Sequence, residues 1–266
     1  MTKKGIDVST HQGVINWNNV KNDGIEFAIL RIGYGSRESQ KDAQFENNYN
    51  GAKSVGIPVG VYLYSYAQNT SEAKAEAETC IKWLNNRHLD LPVYYDVEDK
   101  IQENVDKNTL TNMCIAFCDT IEKAGYWAGI YTNKSWAMNK VNGHELGKRY
   151  TYWVAQYNNE CTYTGSYDMW QYTSSGYVNG INDRVDMNYL YKDLGGSIND
   201  SSSSVSSEKV DQVLHVGSKV ELRGIYKITS VSARLNAVAC KELADQPFAD
   251  YNYIDATPCV EVDRYG

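Results

Sequence analysis

Residues 91–100 read LPVYYDVEDK, an apolar and aromatic run that ends abruptly in acidic residues. The run before the acids has the continuous apolar character of a strand that is buried on both faces. Asp96, Glu98 and Asp99 then crowd the point where such a strand leaves the core. Carboxylates at this point form a solubilising edge, a metal cluster or a catalytic pair, and the rest of the chain distinguishes among these.

Similar runs recur along roughly the first 190 residues and alternate with helical patterns. Helices are predicted over 45–56, 69–86 and 108–125, the first and last ending at Gly56 and Gly125. This alternation implies parallel strands with helical crossovers, and seven or eight strands predict a closed barrel. The last strands are too close together for full helices, so the predicted class is α/β, a modified TIM-like barrel. The strand-like runs are GIDVS, FAILRIGYG, PVGVYLYSYA, LPVYYDVE, YWAGIYTN, YTYWVAQY and YDMWQYT.

The composition changes after this region and predicts a second domain. Residues 195–212, GGSINDSSSSVSSEKVDQ, are rich in Gly and Ser and predict a flexible linker. Short β-branched runs separated by turn residues follow over 213–266 and predict a small all-β barrel. The expected organisation is therefore a barrel domain over 1–194, the linker, and the small β domain.

Charge and cysteine usage exclude several classes of function. The net charge of −7 disfavours nucleic acid and a polybasic membrane anchor, and no apolar run is long enough to cross a bilayer. The six cysteines form no CxxC motif and the four histidines are scattered singly, so neither a metal nor a cofactor is expected. MTKKGIDVS lacks an apolar signal core. We expect the protein to stay in a cytoplasm until it is released, or to be secreted if a leader was removed.

Acidic residues mark several predicted strand ends. In a barrel of parallel strands the functional site lies at the carboxyl ends of the strands. Asp7, Asp96, Glu98 and Asp186 all fall at such ends and are expected on one rim. Tyr and Trp, at 22 and 6 residues against 4 Phe, suit an amphipathic ligand such as a sugar. The aromatic residues expected beside the acids are Tyr62, Tyr64, Tyr131, Trp153 and Trp170.

The spacing of Asp96 and Glu98 has a chemical consequence. Residues i and i+2 face the same side of a strand, with Cα atoms roughly 6.6 Å apart, while Val97 turns into the barrel wall. Two carboxylates this close repel, which helps to keep one of them protonated near neutral pH, as a general acid for glycosidic cleavage requires. A metal site is the second interpretation, although ligands of hard cations usually lie together on one loop.

Five segments together resemble glycoside hydrolase family 25, the Chalaropsis-type lysozymes, which are N-acetylmuramidases. The resemblance covers roughly residues 4–193 and follows the order of the family's motifs. The segments are GIDVSTHQG with Asp7, YYDVE with Asp96 and Glu98, YWVAQY with Trp153 and Gln156, MWQYTSSG with Trp170 and Gln171, and VDMNYL with Asp186.

The resemblance implies cleavage of the β-1,4 bond between N-acetylmuramic acid and N-acetylglucosamine in peptidoglycan, with Glu98 as general acid and base. Asp96 would assist the N-acetyl group of the substrate or act as the nucleophile. Asp7 and Asp186 would line the site. Arg31 stands where the family pattern has lysine. It is expected to form either an ion pair with an acidic residue or a contact with the glycan. The implied sugar contacts are Tyr62, Trp153, Tyr64, Tyr131, Trp170 and Gln156.

The C-terminal module resembles bacterial SH3-type domains, on the segments VGSKVELRGIYKITSVS and PCVEVDRYG. Such domains bind the cell wall and lengthen residence on an insoluble polymer. A stabilising role or self-association is the alternative for this module. For the whole chain, a chitinase-like glycosidase and a catalytically silent wall-binding protein are the alternatives. A chitinase-like enzyme would carry DxxDxDxE, of which LPVYYDVE supplies only the last two acids.

Overall fold

The computed structural model describes residues 2–191 and, further along, the segments 219–221, 225–232, 237–242 and 253–255. The chain divides into two compact units, Met1–Ser201 and Ser202–Gly266. Among the described residues, no helix is long and apolar enough to cross a membrane.

Within residues 2–191, eight strands close a barrel in sequence order, as the alternating pattern predicted. Buried positions run continuously through most of them, because one face lines the barrel interior and the other meets helices. The strands are β1 Lys3–Val8, β2 Phe27–Tyr34, β3 Val59–Tyr64, β4 Val93–Asp96, β5 Ala128–Asn133, β6 Thr151–Ala155, β7 Met169–Gly176 and β8 Val185–Leu190.

Helices connect the earlier strands, and the crossovers become shorter towards the end of the chain. The three predicted helices form, and Gly56 and Gly125 follow two of them with the left-handed φ values of 69° and 83° that favour glycine. Residues 156–168, between β6 and β7, contain no helix. The helices of this unit are α1 Trp17–Asn22, α2 Phe45–Ser54, α3 Thr70–Leu84, α4 Lys107–Lys123, α5 Lys134–Asn139 and α6 Gly143–Arg149.

Strand direction departs from a regular TIM barrel at the last position. Neighbouring strands from β1 to β7 are parallel, but β8 runs antiparallel to both β7 and β1. The connection between β7 and β8 is residues 177–184, which is shorter than the dozen or more residues that a parallel crossover needs. The amino end of β8 therefore lies at the rim formed by the carboxyl ends of the other strands.

Aromatic side chains fill the inside of the barrel. Phe27, Tyr94 and Trp153 are each at most 1% exposed and belong to the cluster that packs there. Two glycines make the room for them. A Cβ atom at Gly5 would lie 2.4 Å from the Phe27 ring, and one at Gly129 would lie 2.5 Å from the Tyr94 ring. The inside of the barrel is thus a packed core.

The second unit contains an antiparallel four-stranded sheet in the order β12-β11-β10-β9, within the part of it that the structure describes. Short strands, as predicted, are present in these segments, while the all-β and SH3-like classification and the domain boundaries at 194 and 213 stay predictions. The predicted linker 195–212 lies outside the described residues. The strands are β9 Lys219–Glu221, β10 Ile225–Ser232, β11 Ala237–Glu242 and β12 Tyr253–Asp255.

Candidate active site

The four predicted acids meet at the rim formed by the carboxyl ends of β1 to β7. Asp7 is the penultimate residue of β1, Asp96 is the last residue of β4, and Glu98 lies just beyond that strand. The interpretation of Asp186 as a carboxyl-end residue is wrong, since it is the second residue of β8. It reaches the same rim because β8 is antiparallel, and it is the register partner of Asp7.

Asp7 is buried and held by two amides. Its Oδ2 atom accepts hydrogen bonds from Gln171 Nε2 at 2.9 Å and Asn188 Nδ2 at 2.8 Å. Burial raises the pKa of Asp7 well above its usual range, the neighbouring charge of Asp186 raises it further, and the two amides partly offset these effects. The two carboxyl groups lie close enough for each to influence the pKa of the other. This pair therefore carries a proton well above the pH at which an exposed Asp ionises.

Asp96 is 5% exposed, and its Oδ1 atom has no hydrogen-bond partner among the described residues. Burial raises the pKa of Asp96 well above its usual range, followed by the charges of Glu98 and Asp7, whereas Arg31 lowers it. A buried carboxylate oxygen without a donor is costly, on the order of 1–3 kcal/mol or more. Asp96 Oδ1 is thus an acceptor that no described protein group satisfies, and the atom itself is buried in this structure.

Glu98 is partly buried and is held from one side by Asn133. Its Oε2 atom accepts hydrogen bonds from the Asn133 backbone N–H at 3.2 Å and from Asn133 Nδ2 at 2.9 Å. Burial raises the pKa of Glu98, and the Asn133 bonds partly offset this rise. Between the two acids, Val97 is fully buried in the cluster between barrel and helices, which agrees with the predicted spacing. Because its pKa is raised, Glu98 keeps its proton to a higher pH than an exposed Glu does, which suits it to act as a proton donor.

Three of the predicted aromatic residues lie on strands at this rim. Tyr62 packs edge-on against Trp153, with ring centroids 6.2 Å apart, and Asp7 and Asp96 raise its pKa in addition to burial. The Tyr131 hydroxyl donates to Gln171 Oε1 at 3.0 Å. The Tyr64 hydroxyl donates to Asp99 Oδ2 at 2.9 Å. Asp99 also accepts from the Ile101 N–H and so caps the turn that follows the strand.

Neither predicted tryptophan offers a surface to a ligand in this structure. Trp153 is 1% exposed inside the barrel, and its Nε1 atom donates to Asn188 Oδ1, which fixes the amide that holds Asp7. Trp170 packs on the outer side of β7 and donates to the Gln156 carbonyl at 2.8 Å. In this structure Trp153 and Trp170 support the site instead of forming the sugar contact that was predicted for them. The alternation of side chains along β7 turns Trp170 away from the site and Gln171 towards it.

Gln156 and Arg31 are both engaged with protein groups. The Gln156 side chain accepts from the Thr162 N–H at 2.9 Å and donates to Thr162 Oγ1 at 3.0 Å, closing the loop between β6 and β7. Arg31 forms an ion pair with Asp42, with Nε and Oδ2 2.8 Å apart, so the ion-pair interpretation of Arg31 has a partner. Its charge still acts on Asp96, because it lowers the pKa of that residue against the larger rise from burial.

Sequence reasoning did not assign roles to Asn133, Gln171, Asn188 and Tyr157, which complete the site. Gln171 and Asn188 lie within the family motifs given above, but neither Asn188 nor Asn133 carried a signal of its own. A cavity of ≈ 410 Å³ opens beside Glu98, at the carboxyl ends of β5 and β6. Within the described residues, no group of three or more His, Cys, Asp or Glu could hold a metal ion. Among the residues that line the cavity are Glu98, Tyr131, Asn133, Lys134, Gln156 and Tyr157.

Comparison with known proteins identifies related chains. The family model described as Glycosyl hydrolases family 25 matches residues 6–181. The autolytic lysozyme of Clostridium acetobutylicum is 27% identical over 198 residues, which cover 73% of this chain and 58% of that protein. Lysozyme M1 of Streptomyces globisporus is 29% identical, over 70% of this chain and 66% of that protein.

A solved structure is similar as well. The modular autolysin LytC from Streptococcus pneumoniae superimposes with a TM-score of 0.63 at 33% identity, covering 71% of this chain and 47% of that one. The chain thus spans about half to two thirds of the length of these relatives.

Proposed function

The chain belongs to family 25 of the glycosyl hydrolases, and on this premise we propose that it is a lysozyme acting on bacterial peptidoglycan. The bond cleaved is the β-1,4 linkage between N-acetylmuramic acid and N-acetylglucosamine. The observation that carries this proposal is the pairing of Glu98, whose pKa is raised, with Asp96, whose Oδ1 atom is free. The names of the relatives, lysozyme and autolysin, support the same chemistry.

Glu98 acts as the general acid in this proposal. The glycosidic C–O bond breaks while the Glu98 proton passes to the leaving oxygen, and the resulting carboxylate later removes a proton from the attacking water. Burial supports the first role because it keeps the proton on Glu98 at a higher pH. The Asn133 bonds support the second because they stabilise the carboxylate that forms.

Asp96 assists the N-acetyl group of the substrate. Its free Oδ1 atom accepts the amide N–H, which orients the acetamido oxygen for attack on the anomeric carbon and offsets the charge that develops. Direct attack by Asp96 is the alternative, and it would leave a sugar covalently attached to this residue. Mass spectrometry of protein quenched during turnover separates the two, because an adduct on Asp96 would contradict assistance.

The test of the function is clearing of Gram-positive cell walls, followed by mass spectrometry of the products. New reducing ends are expected on N-acetylmuramic acid, and ends on N-acetylglucosamine would contradict the proposed bond. Glu98→Gln should lower activity by roughly 10²–10⁴-fold, the usual contribution of a general acid. Glu103→Gln is the matched control, since Glu103 is an exposed carboxylate on the same loop. Wall binding without new reducing ends would indicate a silent binding protein.

The C-terminal module is proposed to hold the enzyme on its substrate. A second wall-binding site would make each cleavage after the first effectively intramolecular, because it raises the local concentration of enzyme on the polymer. Protein truncated after residue 194 should then sediment less with insoluble walls while it keeps its activity on soluble glycan fragments. Equal sedimentation of the full and truncated chains would contradict this role and favour self-association or stabilisation.

A further inference from the structure

The cavity beside Glu98 lies on one side of the proposed proton donor. Glu98 forms part of its wall, and the other walls come from the ends of β5 and β6 and from the loop after β6. Asp7 and Asp186, on β1 and β8, are not among the residues that line it. A glycan that places its scissile oxygen at Glu98 and its acetamido group at Asp96 therefore has the cavity free for the sugar that leaves.

Tyr157 is the aromatic residue on this side that remains open to solvent. Its side chain is 58% exposed, in contrast to the buried Trp153 and Trp170. Its hydroxyl donates to Gln171 Oε1 at 3.0 Å, which fixes one end of the ring of this exposed residue. An apolar ring with a tethered polar end suits a sugar, which presents C–H groups on one face and hydroxyls around its edge.

The backbone beside Tyr157 is fixed before any ligand binds. The Gln156 N–H donates to the Gln171 carbonyl at 3.0 Å, and Trp170 Nε1 donates to the Gln156 carbonyl at 2.8 Å. The Gln156 side chain adds two bonds to Thr162, across the base of the loop. Preorganisation of this kind reduces the conformational entropy lost on binding.

We propose that the cavity is the subsite for the leaving-side sugar and that the Tyr157 ring is its main apolar contact. This inference rests on the proposed function and adds a residue that determines binding on one side of the bond. A competing role for Tyr157 is to hold Gln171, and through it Asp7. Gln171 Oε1, however, also accepts from the buried Tyr131 hydroxyl at 3.0 Å, so the amide stays held when the Tyr157 hydroxyl is lost.

The experiment compares two substrates that share the donor sugars and differ in the leaving group. One is a soluble peptidoglycan oligosaccharide, whose leaving group is a sugar, and the other is the same donor activated as its β-fluoride, corrected for spontaneous hydrolysis. Tyr157→Ala should lower kcat/KM on the oligosaccharide by about tenfold, mainly through KM, and change the rate on the fluoride by less than about twofold. Tyr157→Phe, which keeps the ring, should stay within about threefold of the parent on both substrates.

Tyr177→Ala is the matched control, because Tyr177 is 76% exposed and lies outside the residues that line the cavity. It should match the parent on both substrates, and thermal melts should show that all variants fold. Equal losses for Tyr157→Ala on both substrates, or a loss in Tyr157→Phe as large as in Tyr157→Ala, would overturn the subsite in favour of the Gln171 role. No loss on the oligosaccharide would overturn it too. A parent protein that cleaves neither substrate would contradict the proposed function itself.

Discussion

Asp7 of β1 and Asp186 of β8 are register partners on antiparallel strands, and their carboxyl groups influence each other's pKa. Asp7 is the more deeply buried of the two, and burial raises its pKa most. A carboxyl whose pKa is raised in the folded state binds a proton that the unfolded chain has already lost. The unfolded state gains stability from that ionisation, so this pair lowers the free energy of unfolding as pH increases.

Asp7→Asn should therefore reduce the pH dependence of stability. Below the ordinary Asp pKa of 3.8 the parent and the variant should unfold at similar temperatures, since both carry a neutral side chain. Above it the parent loses about 1.4 kcal/mol per pH unit relative to the variant, until Asp7 ionises in the folded state. Thermal melts from pH 4 to pH 8 measure the difference. A difference in Tm between the parent and the variant that stays constant with pH would mean that the pKa of Asp7 is not raised in the folded state.

Asn133→Ala should move the alkaline limb of the pH–activity profile to higher pH. The variant loses the Nδ2 bond that lowers the pKa of Glu98, and a general acid with a higher pKa stays protonated further into the alkaline range. The same change removes the N-cap of α5, at a cost of about 1 kcal/mol. Asn69→Ala removes the N-cap of α3 and controls for that loss. If the alkaline limbs of the two variants lie at the same pH, Asn133 does not influence the pKa of Glu98.

The barrel and the acid pair were predictable because they depend on local patterns. Continuous apolar runs indicate strands buried on both faces, and Asp96 and Glu98 follow one such run directly. The position of Asp186 was predicted correctly but for the wrong reason. Its strand direction follows from the short connection 177–184, a signal that the sequence did contain.

The supporting amides and the roles of the tryptophans were not predictable in the same way. Asn188 bonds to Asp7 across a separation of 181 residues, and only the closed barrel brings them together. Whether a strand residue faces the inside or the outside depends on register, which a strand buried on both faces does not reveal. Trp170 and Gln171 are both buried, so burial alone does not distinguish them, yet their side chains point to opposite sides of the strand.

Arg31→Met should weaken activity on the acidic side of the profile. The positive charge of Arg31 lowers the pKa of Asp96, so its loss raises that pKa and reduces the ionised fraction of Asp96 at low pH. The acid limb should move to higher pH, with less activity than the parent on the acidic side of the optimum. Asp42 still accepts hydrogen bonds from the N–H groups of Thr10 and Gln44 in the variant, which limits the loss of stability when its ion-pair partner is removed.

Lys41→Met is the control for Arg31, because it removes a charge that is paired with Glu46 outside the site. If both variants shift the limb equally, the effect comes from net charge and not from the position of Arg31. If neither shifts it, activity does not require ionised Asp96, and the proposed role of that residue fails.

Glu76→Ala should destabilise the barrel strongly although Glu76 lies outside the site. The buried carboxylate on α3 accepts from the Ser65 and Tyr95 hydroxyls at 2.8 and 2.7 Å and from the Tyr66 N–H at 2.8 Å. Removing it leaves buried donors unpaired, at a cost of about 3 kcal/mol, or roughly 6–12 °C in Tm for a domain of this size.

Glu78→Ala, on the exposed face of the same helix, should change Tm by little. The consequence for the site follows from Ser65, whose N–H donates to the Asp96 carbonyl at 2.9 Å. Glu76 thus ties α3 to the end of the strand that presents Asp96. Activity of Glu76→Ala measured well below its Tm should fall as well, because loosening this strand end displaces the carboxylates that must act together. Full activity in a destabilised variant would show that the rim keeps its geometry without the α3 connection.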